Sequence, residues 1–150
     1  MLISTPGHNY GILVNKNSER FYDEGERHLF ATFEMAALYC WKDQDMACKF
    51  ITDSVIMDRF KGSWVFETTD KAPEKADTIE ELAPKLDLDP QALKKTVDEF
   101  NASVNDNEFD LMKLDGKATQ GLKVPKSNWA NPIAVPPFYG FPCTSNLTFT

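Results

Sequence analysis

The N-terminal part of the chain shows a strand pattern followed by a helix pattern. An apolar run, a polar turn at 15–18 and a second apolar pair predict a β-hairpin over residues 10–24, since asparagine tolerates the backbone of a tight reversal. Apolar residues then recur at spacings of three and four, which predicts an amphipathic helix over 27–41. We expect its buried stripe to contain Phe30, Phe33, Ala37 and Trp41.

A short strand and a short helix are predicted next. Residues 47–52 have a strand pattern, and Asp53 or Ser54 stands where a side chain would cap the first turn of a helix. Gly62 is typical of the residue that ends such a helix. The helix would carry Val55, Ile56, Arg59 and Phe60.

The following segment carries the most explicit helix signals. Thr78 and Glu81 form a capping box, and Pro84 should shorten or kink the helix that follows because its ring removes an interior hydrogen bond. Asp89 then caps a second helix with Pro90 at its first position, where a missing N–H costs nothing. We expect this second helix to bury Leu93, Val97, Phe100 and Val104.

The C-terminal part changes to loop and strand patterns. Five of the nine prolines lie at 125–142, so this stretch cannot be helical and predicts an extended loop and edge strand. Residues 146–150 alternate as a strand does. The elements together predict an α+β fold, with an N-terminal hairpin, several amphipathic helices and a Pro-rich extended C-terminal segment.

Composition and charge narrow the classes of function. The chain has 150 residues, of which 42% are hydrophobic and 26% charged, as is typical of one globular domain. Its net charge of −7 argues against nucleic acid as a partner. Since there is no membrane-length apolar run and no secretory leader pattern, we expect no membrane span and a cytoplasmic location. Three cysteines without C-x-x-C spacing are expected to be buried reduced thiols: Cys40, Cys48 and Cys143.

Few residues carry candidate chemistry. The sequence has no G-x-G-x-x-G, P-loop, H-E-x-x-H or nucleophile elbow, and two histidines leave little scope for a triad or a metal site. The charges around Arg20 and Glu24 are expected to form a solvated turn. From residue chemistry alone the chain does not look like a self-sufficient enzyme. If it binds an anion through a bidentate guanidinium, the candidates are Arg20, Arg27 and Arg59.

Three stretches resemble one protein family. GILVN at 11–15 and ERFYDEG at 19–25 are similar to the motif that opens the capping, or clamp, domain of the fumarate reductase/succinate dehydrogenase flavoproteins. ADTIEELA at 76–83 and VDEFN at 97–101 resemble the helical pair of the same domain. GLKVPKSNWA at 121–130 is most similar to the tricarballylate dehydrogenase branch of the family.

The resemblance implies a fragment of a larger enzyme. Residues 1–150 would be a single substrate-capping domain that lacks the FAD-binding domain, so FAD would belong to the full-length enzyme, with none bound by this chain alone. The isolated chain is therefore expected to be inactive. The implied partners are the FAD-binding domain of the same polypeptide and a small di- or tricarboxylate, whose C–C bond is oxidised or reduced. For tricarballylate the implied product is cis-aconitate.

The resemblance also implies site residues. Arg27, three residues after Glu24, is the nearest match to an arginine that relays protons in the fumarate reductases. Arg59 lies nearest to the place of the arginine that delivers the proton. Two threonines near the C-terminus take the place of a substrate-contacting histidine, and one histidine follows Arg27. These substrate-facing candidates are His28, Thr148 and Thr150, with a surface or capping role as the alternative for the histidine.

Some positions depart from the family pattern or have a structural interpretation. Arg20 matches the arginine of the hairpin motif and is expected to anchor the hairpin. Ser18 stands where the family has the glycine of the hairpin turn, and Pro84 interrupts a helix.

Alternatives to a capping domain stay open. The chain could be a stand-alone carboxylate-binding or interaction module derived from such a cap, or, less in keeping with its few histidines, a small metal-free hydrolase. The Pro-rich stretch either packs on this domain or faces the absent one, in which case an exposed apolar patch could pair copies of the chain into a homo-oligomer. The rings in question are Phe138, Tyr139 and Phe141.

Overall fold

A computed structural model describes residues 2–3, 7–62, 72–143 and 145–146. Within these ranges the strands are β1 (Leu2–Ile3), β2 (Ile12–Val14), β3 (Cys48–Asp53), β4 (Glu74–Ala76), β5 (Phe138–Cys143) and β6 (Ser145–Asn146). The helices are α1 (Leu29–Asp43), α2 (Ser54–Arg59), α3 (Ile79–Lys85) and α4 (Pro90–Ser103), and a 3₁₀ turn spans His8–Tyr10. No helix in the described ranges is long and apolar enough to cross a lipid bilayer.

Four of the strands form one antiparallel sheet in the order β2-β3-β5-β4. The central pair, β3 and β5, is in register from Cys48 opposite Cys143 to Asp53 opposite Phe138. β1 and β6 form a separate antiparallel pair. Helices and an antiparallel sheet share one chain, so the α+β prediction is confirmed.

Both faces of the four-stranded sheet are covered by apolar side chains. Because successive residues of a strand point to opposite faces, Ile12 and Val14 join the core with α3 and α4, whereas Leu13 joins the core with α1. Ile51 and Phe50 divide in the same way. β2 and the Phe50–Ile51 pair of β3 therefore read as continuous apolar runs instead of alternating patterns.

The helix starts follow the local sequence signals. The Asp53 carboxylate accepts hydrogen bonds from two main-chain N–H groups of α2, and Thr78 accepts one from Glu81 at the start of α3. Asp89 caps α4, in which Pro90 is the first residue. Pro84 lies inside α3, which ends one residue later. These four predictions are confirmed, and α4 buries Leu93, Val97 and Phe100, with Val104 partly buried.

The N-terminal hairpin and the stripe of α1 differ from the prediction. The hairpin is reduced to one bridge between Val14 and Arg20, because β2 pairs with β3 instead. On α1, Trp41 is 57% exposed, so its predicted burial is wrong. The side chains of Phe30 and Phe33 lie outside the described part of the chain. Among the described side chains of α1, those packed inward are small: Thr32, Ala36, Ala37 and Cys40.

The Pro-rich segment ends in a central strand, so the edge-strand prediction is wrong. β5 tolerates Pro142 beyond the part that pairs with β4, since the described β4 pairs only with Phe138–Gly140. Phe138 and Phe141 are 8% and 1% exposed, and Tyr139 is partly buried. An apolar patch built on these three rings is therefore also wrong, because the rings pack inside the domain.

The cysteines correct a further prediction. Cys40 at the end of α1 and Cys48 at the start of β3 form a disulfide, with Cα atoms 6.2 Å apart, so the expectation of reduced thiols is wrong for these two. The turn between α1 and β3 brings both side chains into one core cluster, which the spacing alone did not reveal. Cys143 is the buried free thiol that was expected, and burial raises its pKa to about 12.

Candidate functional site

The predicted arginine Arg27 lies at the end of a loop, Asp23–His28, that leads into α1. The Asp23 carboxylate accepts hydrogen bonds from the main-chain N–H groups of Gly25 (3.0 Å) and Ser127 (2.9 Å), and also from the Ser127 hydroxyl. The Asn128 amide donates to the Gly25 carbonyl at 2.9 Å. A segment 103–104 residues further along the chain therefore fixes the start of this loop.

Gly25 allows that segment to approach the loop. A Cβ atom at this position would lie against the main-chain nitrogen, carbon and oxygen of Asn128, well inside van der Waals contact. Only glycine lets the two backbones pack this closely.

A buried ion cluster supports the loop from beneath. The Glu24 carboxylate accepts from the main-chain N–H of Leu13 (2.7 Å) and from two nitrogens of Arg20 (2.5 and 3.2 Å). The Lys126 ammonium lies 3.8 Å from the same carboxylate. The side chains of Arg20, Glu24 and Lys126 are 5%, 0% and 0% exposed, so the prediction of a solvated charged turn is wrong.

Main-chain carbonyls accept the remaining hydrogen bonds of the buried ion cluster. Arg20 also donates to the carbonyls of Tyr22, Val124 and Pro125, which ties the hairpin to the Pro-rich segment. This agrees with the expectation that Arg20 anchors the hairpin. Burial lowers the pKa of Lys126 to about 8 against the opposing effect of Glu24, so its ammonium is retained at neutral pH.

Asn9 connects the 3₁₀ turn to both ends of the loop. Its side-chain amide donates to the carbonyl of Glu24 at 2.6 Å and to that of Arg27 at 2.9 Å. The main-chain carbonyl of Asn9 accepts a hydrogen bond from Lys126 at 2.7 Å, and Lys126 also donates to the main-chain carbonyl of Gly11 at 2.9 Å. The main chain at Arg27 is thus tied to the buried ion cluster.

The side chains that follow are open to solvent. Arg27 is exposed, and its Nε lies 3.8 Å from the Glu26 carboxylate, a contact that is weak at such exposure. His28 is the N-terminal flanking residue of α1, and no side chain of the described residues caps the first turn of that helix. A guanidinium and an imidazole therefore adjoin at one helix start.

Arg59 is connected to His28 through a row of aromatic rings. The His28 ring lies 5.1 Å from that of Trp129, and Tyr10 contacts the rings of Trp129, Phe109 and Phe60. The Arg59 guanidinium lies over Phe109, 4.7 Å from the ring centre. Arg59 and His28 thus stand at the two ends of one aromatic row. Thr148 and Thr150 lie outside the described residues.

His8, the second histidine, is fully buried beside this site. Its Nε2 lies 3.3 Å from the Thr32 hydroxyl, and its Nδ1 has no hydrogen-bond partner. Burial, with a smaller effect of the Lys126 charge, lowers the pKa of His8 to about 3. His8 is neutral at physiological pH and serves the packing of the 3₁₀ turn against α1.

Sequence reasoning missed the residues that hold the loop. Asn9, Lys126 and Asn128 carry no recognisable local signal, since their partners lie 15 to 117 residues away. The sequence motifs mark the two segments that meet here, the hairpin motif and the stretch at 121–130. The family resemblance identified each segment separately and gave no indication that they are in contact.

The described residues do not fit FAD by themselves. Every described strand pairing is antiparallel, so the strand-helix-strand unit that holds a dinucleotide is not formed. The carboxylates of Asp53 and Asp89 occupy the N-termini of α2 and α4, where a pyrophosphate would need free N–H groups. Within the described ranges there is also no group of three His, Cys, Asp or Glu side chains that could hold a metal ion.

Comparison with known proteins found one informative relative in sequence. No protein-family model matches the chain. NADH:acrylate oxidoreductase from Vibrio harveyi is 32% identical over 146 residues, which cover 91% of this chain and 12% of the relative. The chain therefore spans a small part of that enzyme's length.

Solved structures share the fold. 3-Ketosteroid-Δ4-(5α)-dehydrogenase from Rhodococcus jostii RHA1 matches 94% of this chain with 26% of its own, at 22% identity and a TM-score of 0.68. A flavocytochrome c3 fumarate reductase matches 95% with 22% of its own, at 20% identity and a TM-score of 0.67. The 3-ketosteroid Δ1-dehydrogenase of Sterolibacterium denitrificans matches 91% with 27% of its own, at 20% identity and a TM-score of 0.55.

These similarities show that the chain has the fold of one region of the fumarate reductase and the steroid dehydrogenases. The sequence relative and the three structural neighbours are oxidoreductases by name, the class of enzyme that the capping-domain prediction implies. None of the four proteins is a tricarballylate dehydrogenase, so that finer assignment stays a prediction.

Proposed function

We propose that this chain is the substrate-capping domain of an FAD-dependent oxidoreductase that oxidises or reduces a C–C bond of a small di- or tricarboxylate, with tricarballylate as the candidate substrate. The domain would be one part of a longer polypeptide whose other part binds FAD. The fold shared with fumarate reductase and the likeness to an acrylate oxidoreductase support the reaction class.

The observation that carries the proposal is the rigid presentation of an exposed cation. Buried hydrogen bonds fix the main chain of the Asp23–His28 loop, and Arg27 and His28 project from its end at the start of α1. A carboxylate is recognised by a guanidinium through paired, charge-assisted hydrogen bonds, and the start of a helix adds a favourable dipole. Arg27 is therefore the residue we assign to bind a substrate carboxylate, beside the proton-relay role that the resemblance implies.

Other residues of the chain would also contact the substrate. Arg59 would reach a second carboxylate from the far end of the aromatic row, and His28 would contact the first. Thr148 and Thr150 would offer hydroxyl donors from the returning strand. The redox step itself belongs to the flavin-bearing domain, because this chain alone does not fit FAD.

An exposed arginine becomes effective only when water is excluded from it. Closure of the cap on the flavin-bearing domain would desolvate the guanidinium and strengthen its interaction with the developing negative charge. The fixed loop means that little reorganisation is needed at that moment.

Substitution of Arg27 in the flavin-bearing polypeptide tests the proposal. We expect Arg27→Ala to lower kcat/KM about 100-fold or more, because a positioned donor of this kind contributes several kcal/mol to the transition state. Arg27→Lys should recover part of the loss. Lys16→Ala, which removes an exposed ion pair with Asp45, is the matched control and should change turnover less than twofold. Unchanged turnover of Arg27→Ala would remove Arg27 from the mechanism.

The substrate class is tested with the same enzyme. We expect turnover of tricarballylate or of a dicarboxylate such as fumarate. Turnover of acrylate alone would contradict the polycarboxylate assignment while leaving the capping role intact.

A further inference from the structure

Asn9 is held in place more firmly than a surface asparagine of a short turn would be. Asn9 is 1% exposed, and its main-chain carbonyl accepts a 2.7 Å hydrogen bond from the buried Lys126 ammonium. The 3₁₀ turn that contains it precedes β2, whose residues are buried in both cores. The side chain of Asn9 is therefore a fixed reference point.

The amide of Asn9 acts on the main chain at Arg27. Both of its hydrogens are used, one on the carbonyl of Glu24 and one on that of Arg27. The Arg27 side chain beyond that carbonyl is 69% exposed, so the orientation of the main chain determines where the guanidinium starts. Among the described contacts, this is the hydrogen bond that reaches the main chain of Arg27 from outside the loop.

Stability alone does not account for an asparagine here. Its Oδ1 is buried and has no hydrogen-bond partner, which costs free energy. The asparagine thus keeps two bonded N–H donors at the cost of one unpaired oxygen acceptor. Buried polar atoms without a partner are rare, so this one calls for an explanation other than packing.

We propose that Asn9 is a positioning residue for Arg27, one that fixes the guanidinium for its carboxylate without touching the substrate itself; this inference rests on the function proposed above. Displacement of a catalytic group by about 1 Å can lower a rate about 100-fold. Loss of the Asn9 amide should therefore lower kcat more than it changes KM.

A double-mutant cycle in the flavin-bearing polypeptide separates positioning from general stability. We expect Asn9→Ala to lower kcat about 10- to 100-fold in the native background but less than about twofold when Arg27 is already alanine, since both changes remove one function. Asn101→Ala is the matched control, because the Asn101 side chain also bonds to main-chain groups, the N–H and carbonyl of Ile133, which do not belong to the loop. It should leave kcat within about twofold.

A second measurement does not depend on activity. In the 150-residue chain, NMR order parameters of the Arg27 and His28 amides should fall from about 0.85 to below about 0.6 in Asn9→Ala and stay unchanged in Asn101→Ala. If Asn9→Ala does not fold, Asn9→Ser, which keeps a polar group of smaller reach, takes its place. Unchanged order parameters overturn the inference.

The outcomes also distinguish this inference from the proposed function. Loss of activity in Arg27→Ala combined with multiplicative losses in the double variant overturns the role of Asn9 and leaves that of Arg27 standing. Full activity of Arg27→Ala overturns both. Loss in each single variant with no further loss in the double variant supports both.

Discussion

Ser18 combines two unfavourable features at one residue. Its φ is +63°, in the left-handed region that favours glycine, and its buried hydroxyl has no hydrogen-bond partner. It stands at the hairpin turn, where the main-chain N–H of Ser18 bonds to the Asn15 carbonyl at 2.9 Å. The left-handed backbone and the unpaired hydroxyl of Ser18 therefore cost the chain stability.

Replacing Ser18 should stabilise the chain. We expect Ser18→Gly to raise the free energy of unfolding by about 1 kcal/mol, because relief of the left-handed backbone and of the unpaired hydroxyl outweighs the greater unfolded-state entropy of glycine. Urea denaturation at neutral pH measures the change. Ser18→Ala removes the hydroxyl but keeps the Cβ, so it should gain less. A glycine variant less stable than the native chain would contradict the account.

His8 makes the stability depend on pH in the acid range. The pKa of His8 is about 3 in the folded chain and near 6.5 in the unfolded chain. Between these pH values the unfolded chain binds a proton at His8 and the folded chain does not. Stability is therefore lost progressively as the pH falls from about 6.5 towards 3. The loss from this residue should reach about 2 kcal/mol at pH 5.

The comparison with a neutral variant isolates that effect. His8→Gln should be less stable at pH 7 because the buried packing is disturbed, yet its free energy of unfolding should change about 2 kcal/mol less between pH 7 and pH 5 than that of the native chain. Urea denaturation at the two pH values checks this. Equal changes in the two proteins would show that His8 is accessible to protons when folded.

At the level of elements, the Asp23–His28 loop depends on a close approach of two backbones at Gly25. We expect Gly25→Ala to lower the free energy of unfolding by about 2–3 kcal/mol, because the new Cβ meets the main chain of Asn128, which cannot move aside alone. Gly140→Ala is the matched control, since its Cβ would meet the end of the Leu86 side chain, which can adjust. It should cost about 1 kcal/mol. Similar losses measured by urea denaturation would contradict a backbone contact at Gly25.

The elements that the sequence predicted are those specified by neighbouring residues. Thr78, Asp89 and Asp53 cap helices through hydrogen bonds two or three residues away, so their signals are local. Asp53 also accepts hydrogen bonds from the main-chain N–H groups of Ala134 and Val135, and nothing near Asp53 in sequence indicates this. The same limit explains why Arg27 could be nominated by a motif while the residues that fix its loop could not.

At the level of the whole molecule, the Pro-rich segment contacts parts of the chain that are distant in sequence. It supplies Lys126 to the buried ion cluster, Asn128 to the loop and β5 to the centre of the sheet. Proline content correctly excluded a helix, but the position of a strand within a sheet is set by its partners and not by its own residues. Phe138 and Phe141 are therefore core residues on the two faces of the sheet.

This architecture leads to a prediction about cofactor binding by the isolated 150-residue chain. The Asp53 and Asp89 carboxylates occupy the starts of α2 and α4, and the described strands pair antiparallel, so neither these helix starts nor the described sheet offers a place for a pyrophosphate. We therefore expect the 150-residue chain, mixed with FAD and passed through a gel-filtration column, to elute without flavin absorbance. A polypeptide that joins the same chain to the proposed flavin-binding domain is the positive control and should carry the absorbance with it. Flavin eluting with the isolated chain would mean that the cap holds part of the cofactor, and the division of labour between a flavin-bearing domain and a separate substrate lid would be wrong.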